Sequence, residues 1–524
     1  MTISDMLAEQ VRVRPTACAL IDDRTRQTFT FAGLEAAVSE AAGWWVAQGL
    51  RRGQAVLVFV PMSADLYVAL LALFRLGAVA LFLDPSAGQD HLERCCARWA
   101  PDALLAISKA HLLRLRSAAL RRIPLKVSVG VWVPGAVRWP RPSGIQIPVT
   151  SVKSAVDAAD AALVTFTSGS TGVPKATVRT HGFLLAQYRA LAPNLALTAG
   201  EVDLATLPVF VLANLAAGVT TVIPDTDLRR PGAVDAARIF AQVERHAVTR
   251  LTASPALMER LVAEGKRRGS QLRTVRKLHT GGAPVFPRLL EALQALAPHA
   301  EVVAVYGSTE AEPMAHISAR DVTDADRTRM RNGGGLIAGH PVEQVRVAVI
   351  NDAWGQPRGT ITQREFEAAR QEIGAIGEIV VTGEHVLQGY LGGVGDEATK
   401  FTVQGERWHR TGDAGTFDEQ GRLWLMGRCS ARIDDTYGRL YPFAVECIAM
   451  SHPEVRRAAV LAHKGQRILF VEAESNPALE RELRVETGTA ALEAIRFMPQ
   501  LPVDGRHNAK IDYPRLRALV EREE

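Results

Sequence analysis

Between Thr165 and Ala176 the chain reads TFTSGSTGVPKA, a run of small and hydroxyl-bearing residues closed by a lysine. Gly169 and Gly172 permit tight backbone turns, Thr167, Ser168, Ser170 and Thr171 offer hydroxyls, and Lys175 offers a mobile positive charge. Such a loop can close over the β- and γ-phosphates of a nucleotide and release them as a unit. It is not the phosphate loop that opens a helix, which needs Gly-Lys directly before Ser or Thr. Here Pro174 precedes Lys175 and Ala176 follows it. Proline disfavours helical geometry at Val173, and the flanking runs AALVTF and ATVRTH read as strands. The loop is therefore expected to join two strands, and a flexible Ser/Gly surface hairpin would share its composition.

The elements that must hold this loop alternate. FAGLEAAVSEAAGWWVAQGL has helical spacing and stops near Gly49, while QAVLVFVP and LKVSVGVWV are short apolar runs of the kind buried in parallel sheets. VTTVIP, VTRLTASP, VRKLHTGGAP and AEVVAVYGSTEAEP each read as a strand breaking into a turn of small residues. Turns at the C-terminal ends of strands are where α/β folds place ligands, so an α/β architecture is predicted. From VEQVRVAVIND through GEIVVTGEHVLQGYL to GRLWLMGR the strands shorten and crowd, which predicts an antiparallel or barrel-like β section. Beyond it, RAAVLAHK and RILFVEAES mix with helices in a smaller α+β segment. The domain boundary is placed near Arg428 to Asp435, giving residues 1–428 and 429–524.

Composition narrows the class. With 524 residues, 61 Lys+Arg against 56 Asp+Glu and 47% hydrophobic content, the chain suits a globular protein of two or three domains. Its arginines are scattered, so nucleic-acid binding is not expected. Cysteines 18, 95, 96, 429 and 447 form no metal-ligand spacing and are expected as buried thiols of a cytoplasmic protein. The segment Leu66 to Pro85 is the nearest approach to a membrane span, but Arg75 and Gly77 interrupt it, and it reads as helix, turn and buried strand. No signal peptide is read at the N-terminus.

FTSGSTGVPK resembles the signature loop of adenylate-forming enzymes: acyl-CoA synthetases, peptide-synthetase adenylation domains and firefly luciferase. The same superfamily's motifs follow in order as GGAP (281–284), YGSTE (306–310), GEIVVTGEHVLQGYL (377–391), HRTGDAGTFDEQGRLWLMGR (409–428) and GRHNAKI (505–511). The resemblance implies that a carboxylate attacks the α-phosphorus of ATP and releases pyrophosphate. It implies ATP and Mg²⁺ as cofactors and a large domain with a small mobile cap. Thr309 would contact the α-phosphate, Glu310 would hold Mg²⁺, and Tyr306 and Gly307 would lie against adenine beside Gly281, Gly282 and Ala283. Asp413 would anchor the ribose with Arg428. Lys510, in the cap, would bridge the substrate carboxylate and the α-phosphate.

Two departures point within the superfamily. Asn508-Ala509 precede Lys510 where Gly is usual, and in the hinge Ala431 and Asp434 stand where Asp and Lys are usual. With PVDGRHNAKI, YGRLYPFAVE, LATLPVFVLANLAAGVTTVIPDTD and SPALM, the chain is similar to olefin β-lactone synthetases, in which the adenylate of a β-hydroxy acid is trapped by its own hydroxyl. Phe210, Val211 and Leu212, with Leu215 nearby, would wall the alkyl chain or serve as plain core. His181 and His409 are candidate bases for the hydroxyl. CoA stays open, because a fatty-acyl-CoA or fatty-acyl-AMP ligase is the alternative reading. The implied partners are a small-molecule acyl substrate and neighbouring pathway enzymes.

Overall fold

The computed structural model describes residues 2–84, 88–140, 156–167, 174–504 and 510–522. The chain separates into two compact units, Met1–Asp225 with Leu387–Asp396, and Thr226–Val386 with Glu397–Glu524.

In the first unit a seven-stranded sheet runs Val137–Arg138, Leu125–Val129, Ala103–Ile107, Ala55–Phe59, Val79–Phe82, Ala161–Thr167, Lys175–Thr180. Every neighbouring pair is parallel except the last, which is antiparallel. The run QAVLVFVP supplies Ala55–Phe59, buried at every position as a doubly covered parallel strand must be. Leu66 to Asp84 folds as read: the helix Ala64–Leu76 starts on the Ser63 cap, ends at Gly77, and leads into the strand Val79–Phe82, while Pro85 lies outside the described residues. Eleven of that helix's thirteen residues are buried, so it is a core helix. No helix among the described residues is long and apolar enough to cross a membrane. A second ladder of this unit joins Val202–Ala205, Thr220–Ile223 and Cys18–Asp22 in parallel, with Gln27–Thr30 antiparallel at the end. All five cysteines are free, and four are buried; Cys18 is partly exposed.

In the second unit the strands Arg250–Ala253, Lys277–Gly281 and Glu301–Ser308 are parallel. Glu301–Ser308 then turns into Ala311–Ser318, and from there the pairing is antiparallel through Leu336–Pro341, Leu423–Arg428, Glu406–Phe417, Gly377–Thr382 and Arg346–Ile350. After Arg428 the chain builds a small domain. A three-stranded sheet, Arg457–His463, Gln466–Glu472 and Ala494–Met498, carries helices on both faces. Alternation sorts its side chains: Ala458 and Val460 pack with Val445, Ala449, Leu479 and Leu483, whereas Ala459 and Leu461 pack with Leu516 and Val520 of the helix Tyr513–Arg522. Each fully buried valine or leucine among them contributes about 1.5–3 kcal/mol by burial, each alanine less. The fold is thus mixed α/β with a small C-terminal domain.

Candidate active site

The site's best-defined part lies in the second unit, on the hairpin Glu301–Ser308/Ala311–Ser318 and the ladder Glu406–Phe417/Leu423–Arg428. Asp413 and Arg428 are direct cross-strand partners. The Arg428 Nη1 lies 3.1 Å from Asp413 Oδ1, and the Tyr306 hydroxyl donates to Asp413 Oδ2 at 2.7 Å. Both carboxylate oxygens are therefore fixed in direction, yet each keeps a second lone pair for a further donor. Burial, and then the Asp413 charge, push the Tyr306 phenol well above its ordinary pKa, so it remains a donor. The Arg428 side chain is half exposed, and the Asp413 charge raises its pKa. Thr411 completes the group: its hydroxyl accepts from the Asp413 N–H at 3.0 Å and donates to the Ile379 carbonyl, and its own carbonyl takes the Arg428 Nη1 at 3.1 Å.

Thr309 and Glu310 occupy the turn of the hairpin, where Ser308 Oγ accepts the backbone N–H groups of Glu310 and Ala311, each at 3.3 Å. The Glu310 carboxylate lies within electrostatic reach of both Arg428 and His409. Among the described residues no three His, Cys, Asp or Glu side chains gather into a metal cluster. Glu310 would offer a carboxylate oxygen to a hard divalent ion such as Mg²⁺, which at nucleotides commonly takes phosphate oxygens and water besides one or two carboxylates. Gly281 ends the strand Lys277–Gly281, and a Cβ there would lie 2.4 Å from the Val305 carbonyl oxygen. Gly282 follows at φ 83°, and Ala283 is only partly buried, so bare backbone lines this turn beside the strand that carries Tyr306 and Gly307.

In the first unit Thr167 and Lys175 are paired across the antiparallel ladder, so the chain between them joins two strands, as expected. Ser168, Gly169, Ser170, Thr171 and Gly172 lie outside the described residues, as do Asn508 and Ala509. Lys175 packs against the segment Leu387–Asp396 of the same unit: its ammonium lies 5.4 Å from the centre of the Tyr390 ring.

Lys510 stands at the base of the helix Tyr513–Arg522. Its N–H donates to Asp504 Oδ1 at 3.0 Å, its carbonyl accepts from the Asp504 N–H at 2.9 Å, and Val503 bridges Ile511 beside it. Phe210, Val211 and Leu212 lie on the helix Pro208–Ala217, all buried; Val211, Leu212 and Leu215 join the core cluster of the first unit.

Both candidate bases are held below the ordinary histidine pKa. Burial, reinforced by the Lys400 ammonium, lowers His409 to about 3 against the opposing pull of Glu310. Its Nδ1 contacts the Thr399 carbonyl at 3.2 Å; a carbonyl only accepts, which assigns the ring proton to Nδ1. His181 is fully buried edge-on to Phe74, burial lowers its pKa, and neither ring nitrogen has a hydrogen-bond partner among the described residues. Asp434 pairs with Arg432 at 3.0 Å and with Arg439 at 2.6 Å, and Arg432 reaches Asp352 at 3.1 Å. Ser308 and Thr411 escaped the sequence reading although both lie inside the motifs quoted, because their roles depend on backbone groups that spacing does not reveal.

Comparison with known proteins bears on this geometry. Residues 7–391 match the AMP-binding enzyme family. The chain is 33% identical to an olefin β-lactone synthetase of Stenotrophomonas maltophilia, over 95% of this chain and 92% of that one. It is 34% identical to the olefin β-lactone synthetase of Xanthomonas campestris pv. campestris, over 93% and 90%. In structure it resembles the amide bond synthetase McbA of Marinactinospora thermotolerans with a TM-score of 0.80 at 21% identity, covering 99% of each chain. The family match covers most of the chain, and both β-lactone synthetases are 33–34% identical to it over nearly its whole length: the chain belongs to the AMP-binding enzyme family, and these relatives are synthetases.

Proposed function

We propose that the protein activates a β-hydroxy carboxylic acid with ATP and closes the resulting acyl-adenylate to a β-lactone. The observation that carries this reading is 33–34% identity to two olefin β-lactone synthetases over nearly the whole chain. In the first step a carboxylate oxygen bonds to the α-phosphorus, and the bond from that phosphorus to the pyrophosphate oxygen breaks. In the second, the substrate's own hydroxyl oxygen bonds to the acyl carbon, the acyl–phosphate C–O bond breaks, AMP leaves, and the hydroxyl proton passes to a base. Both reacting groups belong to one molecule, so ring closure is unimolecular and avoids the entropy cost of a second reactant.

In this proposal Asp413 and Arg428 take the ribose hydroxyls, supported by the lone pairs that Asp413 retains. Tyr306, Gly307, Gly281, Gly282 and Ala283 receive the adenine. Lys175 and the loop Thr167, Ser168, Gly169, Ser170, Thr171 and Gly172 hold the outgoing phosphates. Thr309 donates to the α-phosphate, and Glu310 holds Mg²⁺, which would supply charge neutralisation across the phosphate oxygens. Lys510 bridges the acid and the α-phosphate from a cap of residues 429–524 that moves against residues 1–428. Phe210, Val211 and Leu212 wall the alkyl chain. Asp434, paired with two arginines where a lysine is usual, fits an enzyme that needs no CoA half-reaction.

Mass spectrometry of products from a 3-hydroxy fatty acid, ATP and Mg²⁺, with and without CoA, tests the proposal. A species with the mass of the acid less one water, formed without CoA, is expected. A thioester formed only when CoA is present would instead establish a fatty-acyl-CoA ligase.

A further inference from the structure

The segment Leu387–Asp396 belongs to the first unit although it lies far along the chain, and it is built around one side chain. Tyr390 bridges Thr177, two residues beyond Lys175, and sets its ring 5.4 Å from the Lys175 ammonium, inside the distance at which a cation is attracted to an aromatic face. The segment then folds back on itself: Asp396 Oδ1 accepts the Tyr390 N–H at 2.8 Å, and Arg98 Nη2 donates to the Leu391 carbonyl at 2.8 Å. Gly395 closes the loop at φ 94°, where a Cβ would sit 2.5 Å from Lys175 Cε and 2.8 Å from Nζ. Glycine at 395 thus leaves empty the space that the Cβ of any other residue would fill, and the Lys175 stem lies in it.

From this geometry we infer that Tyr390 and Gly395 are positioning residues for Lys175: the ring face fixes the ammonium's direction, and the missing side chain at 395 leaves room for its stem. The inference rests on the phosphate-loop reading of Lys175. A lysine stem has many rotamers, and ordering them at the moment of binding costs free energy. A ring and a glycine slot that order the stem in advance lower that cost, so their effect should appear in affinity for MgATP.

Isothermal titration calorimetry of full-length protein with MgATP tests this, with Tyr390→Leu, Tyr390→Phe and Gly395→Ala compared in wild-type and Lys175→Ala backgrounds and thermal midpoints recorded for each. Tyr390→Leu should raise the Kd roughly 2- to 30-fold, the span a cation–π contact covers. Tyr390→Phe, which keeps the ring face, should restore most of that affinity, and Gly395→Ala should weaken binding independently of the ring. In the Lys175→Ala background the Tyr390→Leu effect should vanish, because the two substitutions remove one interaction. An undiminished Tyr390→Leu effect in that background, or equal losses with Leu and Phe, would overturn the inference. Should Tyr390→Leu fail to fold, the Gly395→Ala comparison across the two backgrounds decides by the same criterion. Wild-type affinity in Lys175→Ala itself would instead refute the phosphate-loop reading.

Discussion

At the scale of single residues, Asp413 illustrates how a site is prepared. Its two oxygens are oriented by different donors, Tyr306 and Arg428, so the carboxylate cannot rotate freely yet remains open to a ligand. Its ion pair with the half-exposed Arg428 adds only about 0–1 kcal/mol to stability. Asp413→Asn should therefore leave the fold nearly as stable, while MgATP affinity in calorimetry falls roughly 10- to 100-fold, the worth of charge-assisted hydrogen bonds. Unchanged affinity would remove the ribose assignment. Lys510→Ala should cost at least about 100-fold in acid-dependent pyrophosphate release, the scale of a lost transition-state contact, with MgATP affinity within a few-fold of wild type. Wild-type turnover in that variant would refute its role. Asp413, Arg428 and Tyr306 were legible in the sequence because short motifs carry them. The pairing of Lys175 with Tyr390 was not, because nothing local in either segment encodes a contact between them.

At the scale of elements, the strand Glu406–Phe417 holds its line because Arg410 is anchored beneath it. Arg410 and Glu378 are both fully buried and form a bidentate pair at 2.8 and 2.7 Å, and the guanidinium also donates to the carbonyls of Gln356 and Ala353 and stacks near Trp354. Glu378→Gln leaves an uncompensated buried cation and should destabilise the protein by about 3–5 kcal/mol in urea unfolding. In the small domain, Glu446 of the helix Phe443–Ser451 accepts from the Tyr513 hydroxyl and the Val460 N–H. Burial nonetheless raises it from 4.5 to about 7, with Cys447 alongside. The folded state thus keeps a proton that the unfolded chain releases above pH 4.5. Stability from this group is present at low pH and is lost between roughly pH 4.5 and 7, about 3 kcal/mol in all. The stability difference between wild type and Glu446→Gln should fall across that window, and a difference independent of pH would contradict it. Strands such as Ala55–Phe59 and Lys277–Gly281 were legible from apolar runs ending in turns. The pairing of Cys18–Asp22 with Thr220–Ile223 was not, since parallel partners leave no local mark in either sequence.

At the scale of the whole molecule, the change from parallel to antiparallel pairing falls at the strand Glu301–Ser308, whose end carries Tyr306, Gly307 and the turn to Glu310. The switch in sequence texture after residue 340 was legible as crowded short strands, while the position of the turning strand became visible only in the ladder. The chain therefore brings parallel-strand termini, which suit ligands, beside an antiparallel ladder, which holds Asp413 and Arg428 opposite each other. The proposed activity requires that ATP be split at the α-phosphorus. Nucleotide analysis by anion-exchange chromatography, with purified protein, MgATP and a panel of 3-hydroxy fatty acids, tests it most directly. AMP and pyrophosphate in equal amounts, formed only when acid is present, are the predicted result; ADP with orthophosphate, or no acid-dependent turnover with any member of the panel, would contradict it.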